Sequence, residues 1–154
     1  MSRKRSKYRP RGVIMDTMAH VSVGLKPLSE IDDALVILRI KNHDALTNIA
    51  HGKGTRSDMD VVIAALNIAE ALIMQNVASA YKEQLRQGQD ALKSMGSRGR
   101  SMGDRFVCTG QELTAINWAM EIHDAQLEVI NVAQLETAIK KVAAIVRSGG
   151  ARKI

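Results

Sequence analysis

Four aromatic side chains in 154 residues, Tyr8, Tyr81, Phe106 and Trp118, are too few to build the base-stacking sheet of the common single-stranded RNA modules. A single cysteine, Cys108, can neither close an internal disulfide nor anchor a Cys-based zinc site by itself, which fits an intracellular setting. No apolar run approaches the roughly 18 residues that a membrane span needs. Behind the basic opening MSRKRSKYRPRG, the broken apolar patch Val13–Met15 is too short for a signal-peptide core. No segment shows sustained period-two alternation, so strands are not expected.

What is present is one domain's worth of chain. The hydrophobic content of 45% argues against global disorder and suffices for a sizeable core. The formal charge of +6 is unevenly spread. Residues 1–12 hold Arg3, Lys4, Arg5, Lys7, Arg9 and Arg11 and no acid. Residues 93–105 hold Lys93, Arg98, Arg100 and Arg105 against Asp104, and residues 147–154 hold Arg147, Arg152 and Lys153. Outside these three segments, 9 basic residues face 15 acidic ones, so the chain reads as an acidic body carrying basic arms.

Apolar residues recur at helical spacing along most of the chain. Ile31, Leu35, Leu38, Ala45, Leu46 and Ile49 mark a first helix over about 29–51, with Ser29 and Asp32 at its start and Gly52 at its end. Thr55 and Ser57 are alternative caps for a second helix, 57–76, so apolar from Met59 to Met74 that it belongs at the centre of a bundle. A kink or break near Asn76 is expected, since asparagine tolerates the left-handed conformation. A third helix follows over 78–94. Residues 96–105, GSRGRSMGDR, read as a flexible connector with nothing apolar to bury. Thr109 with Glu112, and Asn131 with Gln134, have capping-box spacing and open helices over 110–130 and 132–148, the last with a stripe at Val132, Leu135, Ile139, Val142 and Val146. The expected fold is all-α: a compact antiparallel bundle of four to five helices spanning 13–148 as one domain, with a basic arm at 1–12 and a basic tail at 149–154.

The basic opener KYRPRG at 7–12, the phrase ALNIAEAL at 65–72, and TGQEL at 109–113 leading into IHDAQLE at 122–128 resemble a loose group of small helical proteins of temperate bacteriophages and prophages. The resemblance spans most of the chain. It implies an accessory role in the cytoplasm of a bacterial host cell, and it carries no catalytic or binding residue with it.

Six cations in twelve residues can neutralise several phosphates and give salt-sensitive binding, and Tyr8 can stack on a base. The candidate nucleic-acid-binding residues are therefore Arg3, Lys4, Arg5, Lys7, Tyr8, Arg9 and Arg11, joined by Arg98, Arg100 and Arg105 of the connector and by Arg152 and Lys153 of the tail. The stretch Gly52–Thr55 precedes a helix start and could hold an anion, but Asp58 and Asp60 already place negative charge there, so a plain joint is favoured. Asn42, Asn67, Glu70, Asn117, His123 and Asp124 interrupt apolar helices. Facing one another, they could line a polar cavity with Glu70 as base or His123 as proton shuttle. No nucleophile–base spacing accompanies them, so no catalytic residue is assigned. His20, His43, His51 and His123 show no metal-ligand spacing, and neither metal nor cofactor is expected.

The leading expectation is a non-enzymatic accessory protein whose basic arms contact DNA, RNA or a nucleoprotein target. One alternative is a counter-defence or host-takeover inhibitor that binds a host protein or sequesters a nucleotide signal; another is a small helical enzyme using the internal polar residues. Self-association as a homo-oligomer is expected because the central helix and the 132–146 stripe exceed what one small bundle covers.

Overall fold

Three reciprocal caps organise the bundle. In the computed structural model, which describes residues 24–31 and 33–150, the Thr55, Thr109 and Asn131 side chains each accept from the backbone N–H three residues on. The side chains of Asp58, Glu112 and Gln134 return the bond to the cap residue's own N–H. Each box satisfies two of the N–H groups that a helix start leaves unpaired. These caps open α2 (Arg56–Ile73), α4 (Gly110–Val129) and α5 (Val132–Arg147). The remaining helices are α1 (Ala34–Ala50) and α3 (Lys82–Ser101), with 3-10 turns at Leu28–Glu30 and Ser79–Tyr81. The described residues are all-helical, with two isolated backbone bridges, Pro27 to Asn131 and Gly54 to Phe106, and no strand.

The first helix starts later than its apolar spacing suggests. Ser29 lies in a 3-10 turn, and α1 begins beyond Asp33, whose side chain makes no cap bond. Backbone pairing explains the delay. Leu28 N–H donates to the Ile130 carbonyl and Val132 N–H donates to the Lys26 carbonyl, so this segment is tied to the α4–α5 junction before a helix can form.

α2 packs against all four other helices. Met59, Val62, Leu66, Ala69 and Leu72 are buried along it, and Leu85, Leu92 and Met95 of α3 with Ile116 and Met120 of α4 complete the main core. A second cluster at the far end joins Leu28, Leu72, Leu127, Ile130 and Ala138. Between α2 and α3 the chain breaks: Asn76 and Ala78 have φ of 63° and 57°. Gln126, fully buried on α4, holds this break in place by donating from Nε2 to the carbonyls of Ala69 (3.1 Å) and Val77 (3.0 Å).

The glycine-arginine stretch is not a flexible connector. α3 continues through it to Ser101, and Gly96 and Gly99 are buried. Gly99 presents a helix face without a side chain, and the buried Phe106 ring lies directly on it; a Cβ there would collide with the ring. Glycine in a helix costs about 1 kcal/mol relative to alanine. Burial of Phe106, worth about 1.5–3 kcal/mol, outweighs that cost. The segment expected to be mobile thus belongs to the body.

Candidate functional site

The last three turns of α2, the middle of α3 and the end of α5 border a cleft of about 260 Å³. Its walls are apolar, with Ile63, Leu66 and Met74 from α2 facing Val142, Ile145 and Val146 from α5. Polar groups enter from two helices. Asn67 and Glu70 come from α2, one turn apart; Gln89, Asp90 and Lys93 come from α3. Gln89 Nε2 donates to Glu70 Oε2 at 3.0 Å, which fixes the carboxylate across the α2–α3 seam. An apolar enclosure with a few convergent polar groups is the usual form of a small-ligand site.

The structure brings Asn67 and Glu70 together and separates them from the other expected polar residues. Asn117 is exposed on α4 and joins neither group. His123 and Asp124 sit at the α1–α4 junction, where a second polar cluster forms. His43 Nε2 and Asp124 Oδ2 are 2.6 Å apart, and Arg39 donates to the Asp124 carbonyl and to Glu128 Oε1, both at 2.8 Å. Asn42 and His123 are buried there, 3% and 1% exposed. Among the described residues, neither ring nitrogen of His123 nor the Asn42 amide nitrogen has a hydrogen-bond partner. Desolvation pushes the His123 pKa down to about 4. It outweighs the attraction of Asp124, and Arg39 and His43 add to the depression.

No activated nucleophile accompanies the His43–Asp124 pair among the cysteines. Cys108 contacts Met95 Sδ at 3.1 Å, and burial, reinforced by Glu112, pushes its thiol up to about 11, far from thiolate chemistry at neutral pH. Among the described residues no three His, Cys, Asp or Glu side chains are grouped to hold a metal. His51 is exposed and its Nδ1 lies 2.8 Å from the Thr47 carbonyl. The α2 N-terminus is likewise closed to ligands. Asp58 accepts from the Thr55 N–H (2.8 Å) and hydroxyl (2.7 Å), bonds that hold its own pKa below the ordinary carboxylate value.

Of the candidate nucleic-acid-binding residues, Arg3, Lys4, Arg5, Lys7, Tyr8, Arg9, Arg11, Arg152 and Lys153 lie outside the described residues, as do His20 and Asp32. Arg100 and Arg105 are exposed. Arg98 is committed elsewhere: its guanidinium donates to both carboxylate oxygens of Glu112 (2.9 and 2.6 Å) and to the Val107 carbonyl (2.8 Å).

The described residues contain 14 basic and 14 acidic side chains. The described body therefore carries no net formal charge: residues 93–105 and Arg147 offset part of its acidity, and Asp16 and Asp32 lie outside the described residues. The whole formal charge of +6 falls to residues 1–23, 32 and 151–154. No described helix is long and apolar enough to cross a membrane.

Sequence reasoning does not single out Gln89 or Asp90, and it counts Lys93 only toward the basic charge of 93–105. Their only signal is spacing: they share a turn of α3 beside the buried stripe of Leu85, Gly88 and Leu92. Comparison of the chain with protein-family models, curated proteins and solved structures gives no significant match.

Proposed function

We propose that the protein acts by binding, not catalysis, and that its basic terminal segments engage DNA or RNA while the helical body sets their spacing. The observation that carries this reading is the segregation of charge. A body with equal numbers of acids and bases offers a polyanion little net attraction, whereas residues 1–12 concentrate six cations without an acid. The resemblance to small helical proteins of temperate phages and prophages makes an accessory role in a bacterial cell the natural setting. The sequestration of a nucleotide signal is the weaker reading, since Glu70 and Asp90 would repel phosphate from the cleft.

Self-association also belongs to this reading. Val36, Ile37 and Ile40 are each more than half exposed on the outer face of α1, although Ala45, Leu46 and Ile49 already bury its inner face. A helix apolar on both sides is one that a partner covers. Lys41 and Asp44 flank the patch, and a two-fold pairing of α1 with its copy offers them reciprocal partners.

The test is titration of the full chain and of a chain lacking residues 1–12 against duplex DNA and single-stranded RNA over a range of salt. If six phosphates are neutralised by the arm, its removal lowers the salt slope on duplex DNA by about 5. Unchanged affinity and slope would remove the arm from the mechanism.

A further inference from the structure

The cleft between α2, α3 and α5 is a place where the fold leaves apolar wall unfilled. α5 is seated through the buried Ala138 and the partly buried Val132, Leu135 and Val142, and from Ala143 to Gly150 every position is exposed. Its last two turns therefore roof the cleft without packing into it. Ile145 and Val146 there face Ile63 and Met74 across open space, an arrangement that an apolar occupant would stabilise by excluding water.

The polar groups determine what kind of occupant fits. Two carboxylates, Glu70 and Asp90, enter with one ammonium, Lys93, leaving a net charge of −1 in a partly enclosed space. Glu70 is held in place by Gln89, and a carboxylate that accepts one hydrogen bond retains lone pairs for further donors. Asn67 adds an amide one turn away on the same helix. Gly150, three residues past the end of α5, closes one side of the cleft. An anionic head would meet repulsion from both carboxylates, only partly offset by Lys93, while a neutral head would leave the net charge of −1 uncompensated.

We propose that this cleft is a binding site for a small amphipathic cation: an amine, amidine or guanidine head seated against Glu70, on an apolar body lying between Ile63 and Val146. A cavity of about 150 Å³ holds benzene, so this volume admits one ring with a short amine arm.

The experiment uses three probes that share one body: benzylamine, benzyl alcohol and benzoate. Each is titrated into the full chain at neutral pH, with heat and backbone amide resonances followed together. Benzylamine binds about tenfold more tightly than benzyl alcohol, benzoate does not bind, and the shifted resonances belong to α2, α3 and α5. Glu70→Gln, which preserves a side chain able to pair with Gln89, abolishes the preference of benzylamine over benzyl alcohol. Asp90→Asn, at an exposed position that cannot disturb the core, weakens benzylamine by roughly twofold to threefold. Deletion of residues 1–12 changes none of these affinities. The proposal is overturned if benzoate binds as well as benzylamine, if Glu70→Gln and Asp90→Asn are both without effect, if the shifted resonances lie elsewhere, or if no probe binds.

Discussion

Arg98 grips Glu112 through both carboxylate oxygens, tying the last turn of α3 to the first turn of α4. The same carboxylate accepts the Thr109 N–H at 2.8 Å, so one side chain serves as helix cap and as the anion of an ion pair. Glu112→Ala removes both functions. The cap alone is worth about 1 kcal/mol, or about 2–4 °C in melting temperature for a chain of this size. Arg98→Met leaves the cap in place, so its loss of melting temperature is the smaller of the two. Arg98→Lys does not restore the wild-type value, because an ammonium cannot make the two-pronged contact. Thermal melts of the three variants rank them. Arg98→Met also leaves nucleic-acid affinity unchanged if the guanidinium is already committed to Glu112.

Gly88 lies in the most extensive helix pairing of the described bundle, that of α3 with α4. A Cβ at this position would collide with the Ala119 methyl and come within 3.0 Å of the Ala115 carbonyl oxygen. Helix propensity alone favours Gly88→Ala by about 1 kcal/mol, whereas overpacking costs about 1–3 kcal/mol. Net destabilisation in urea unfolding is expected, with partial recovery in the double variant Gly88→Ala with Ala119→Gly. An increase in stability for the single variant would show that the two helices can separate without cost.

Acid should unfold the protein in two stages. Folded His123 has its pKa lowered to about 4 from the ordinary 6.5, so between these values the unfolded chain takes up a proton that the folded chain refuses. Stability therefore begins to fall as pH drops below 6.5, and this loss is complete near pH 4. Glu112 acts lower. Arg98 holds its carboxyl down at about 2 against 4.5, and the stability it contributes above pH 4.5 is lost as pH falls toward 2. Denaturant unfolding of wild type and His123→Met at several pH values checks the assignment. The variant lacks the decline between pH 6.5 and 4 and keeps the lower one.

The outer face of α1 gives a fourth expectation. Ile37→Glu together with Ile40→Glu places charge in the exposed patch without touching the core, since both residues are more than half exposed. The mass in solution falls to that of a monomer, and the helical content is unchanged. A wild-type chain already monomeric at all concentrations would remove self-association from the proposed function.

The parts of the fold legible in the sequence depend on residue identity at fixed spacing. The boxes at Thr109–Glu112 and Asn131–Gln134, and the apolar run of α2, needed no knowledge of a partner helix. At α2 the choice between Thr55 and Ser57 was left open, and the reciprocal bond with Asp58 settles it for Thr55. What was not legible depends on three-dimensional partners. Gly96 and Gly99 look like breakers until the Phe106 ring is placed against Gly99. The α5 stripe reads as a core-facing seam and is one in part: Val132, Leu135 and Val142 pack against the second cluster, whereas Ile139 and Val146 are exposed. Among the polar residues, Asn67 and Glu70 face one cleft because both ride α2, whereas Asn117 and Asp124, seven apart on α4, differ in exposure because α1 reaches only the second of them.

The electrical neutrality of the body bears on how the protein behaves as a colloid. Without residues 1–12 the chain would carry a formal charge of zero near neutral pH, the condition in which proteins repel one another least and precipitate most readily. The α1 patch and the unfilled cleft would then be exposed on particles with no long-range repulsion between them. The same six cations that the binding reading assigns to phosphate thus keep the bundles apart in solution, and neutralisation of the arm by a polyanion should condense the protein as well as bind it.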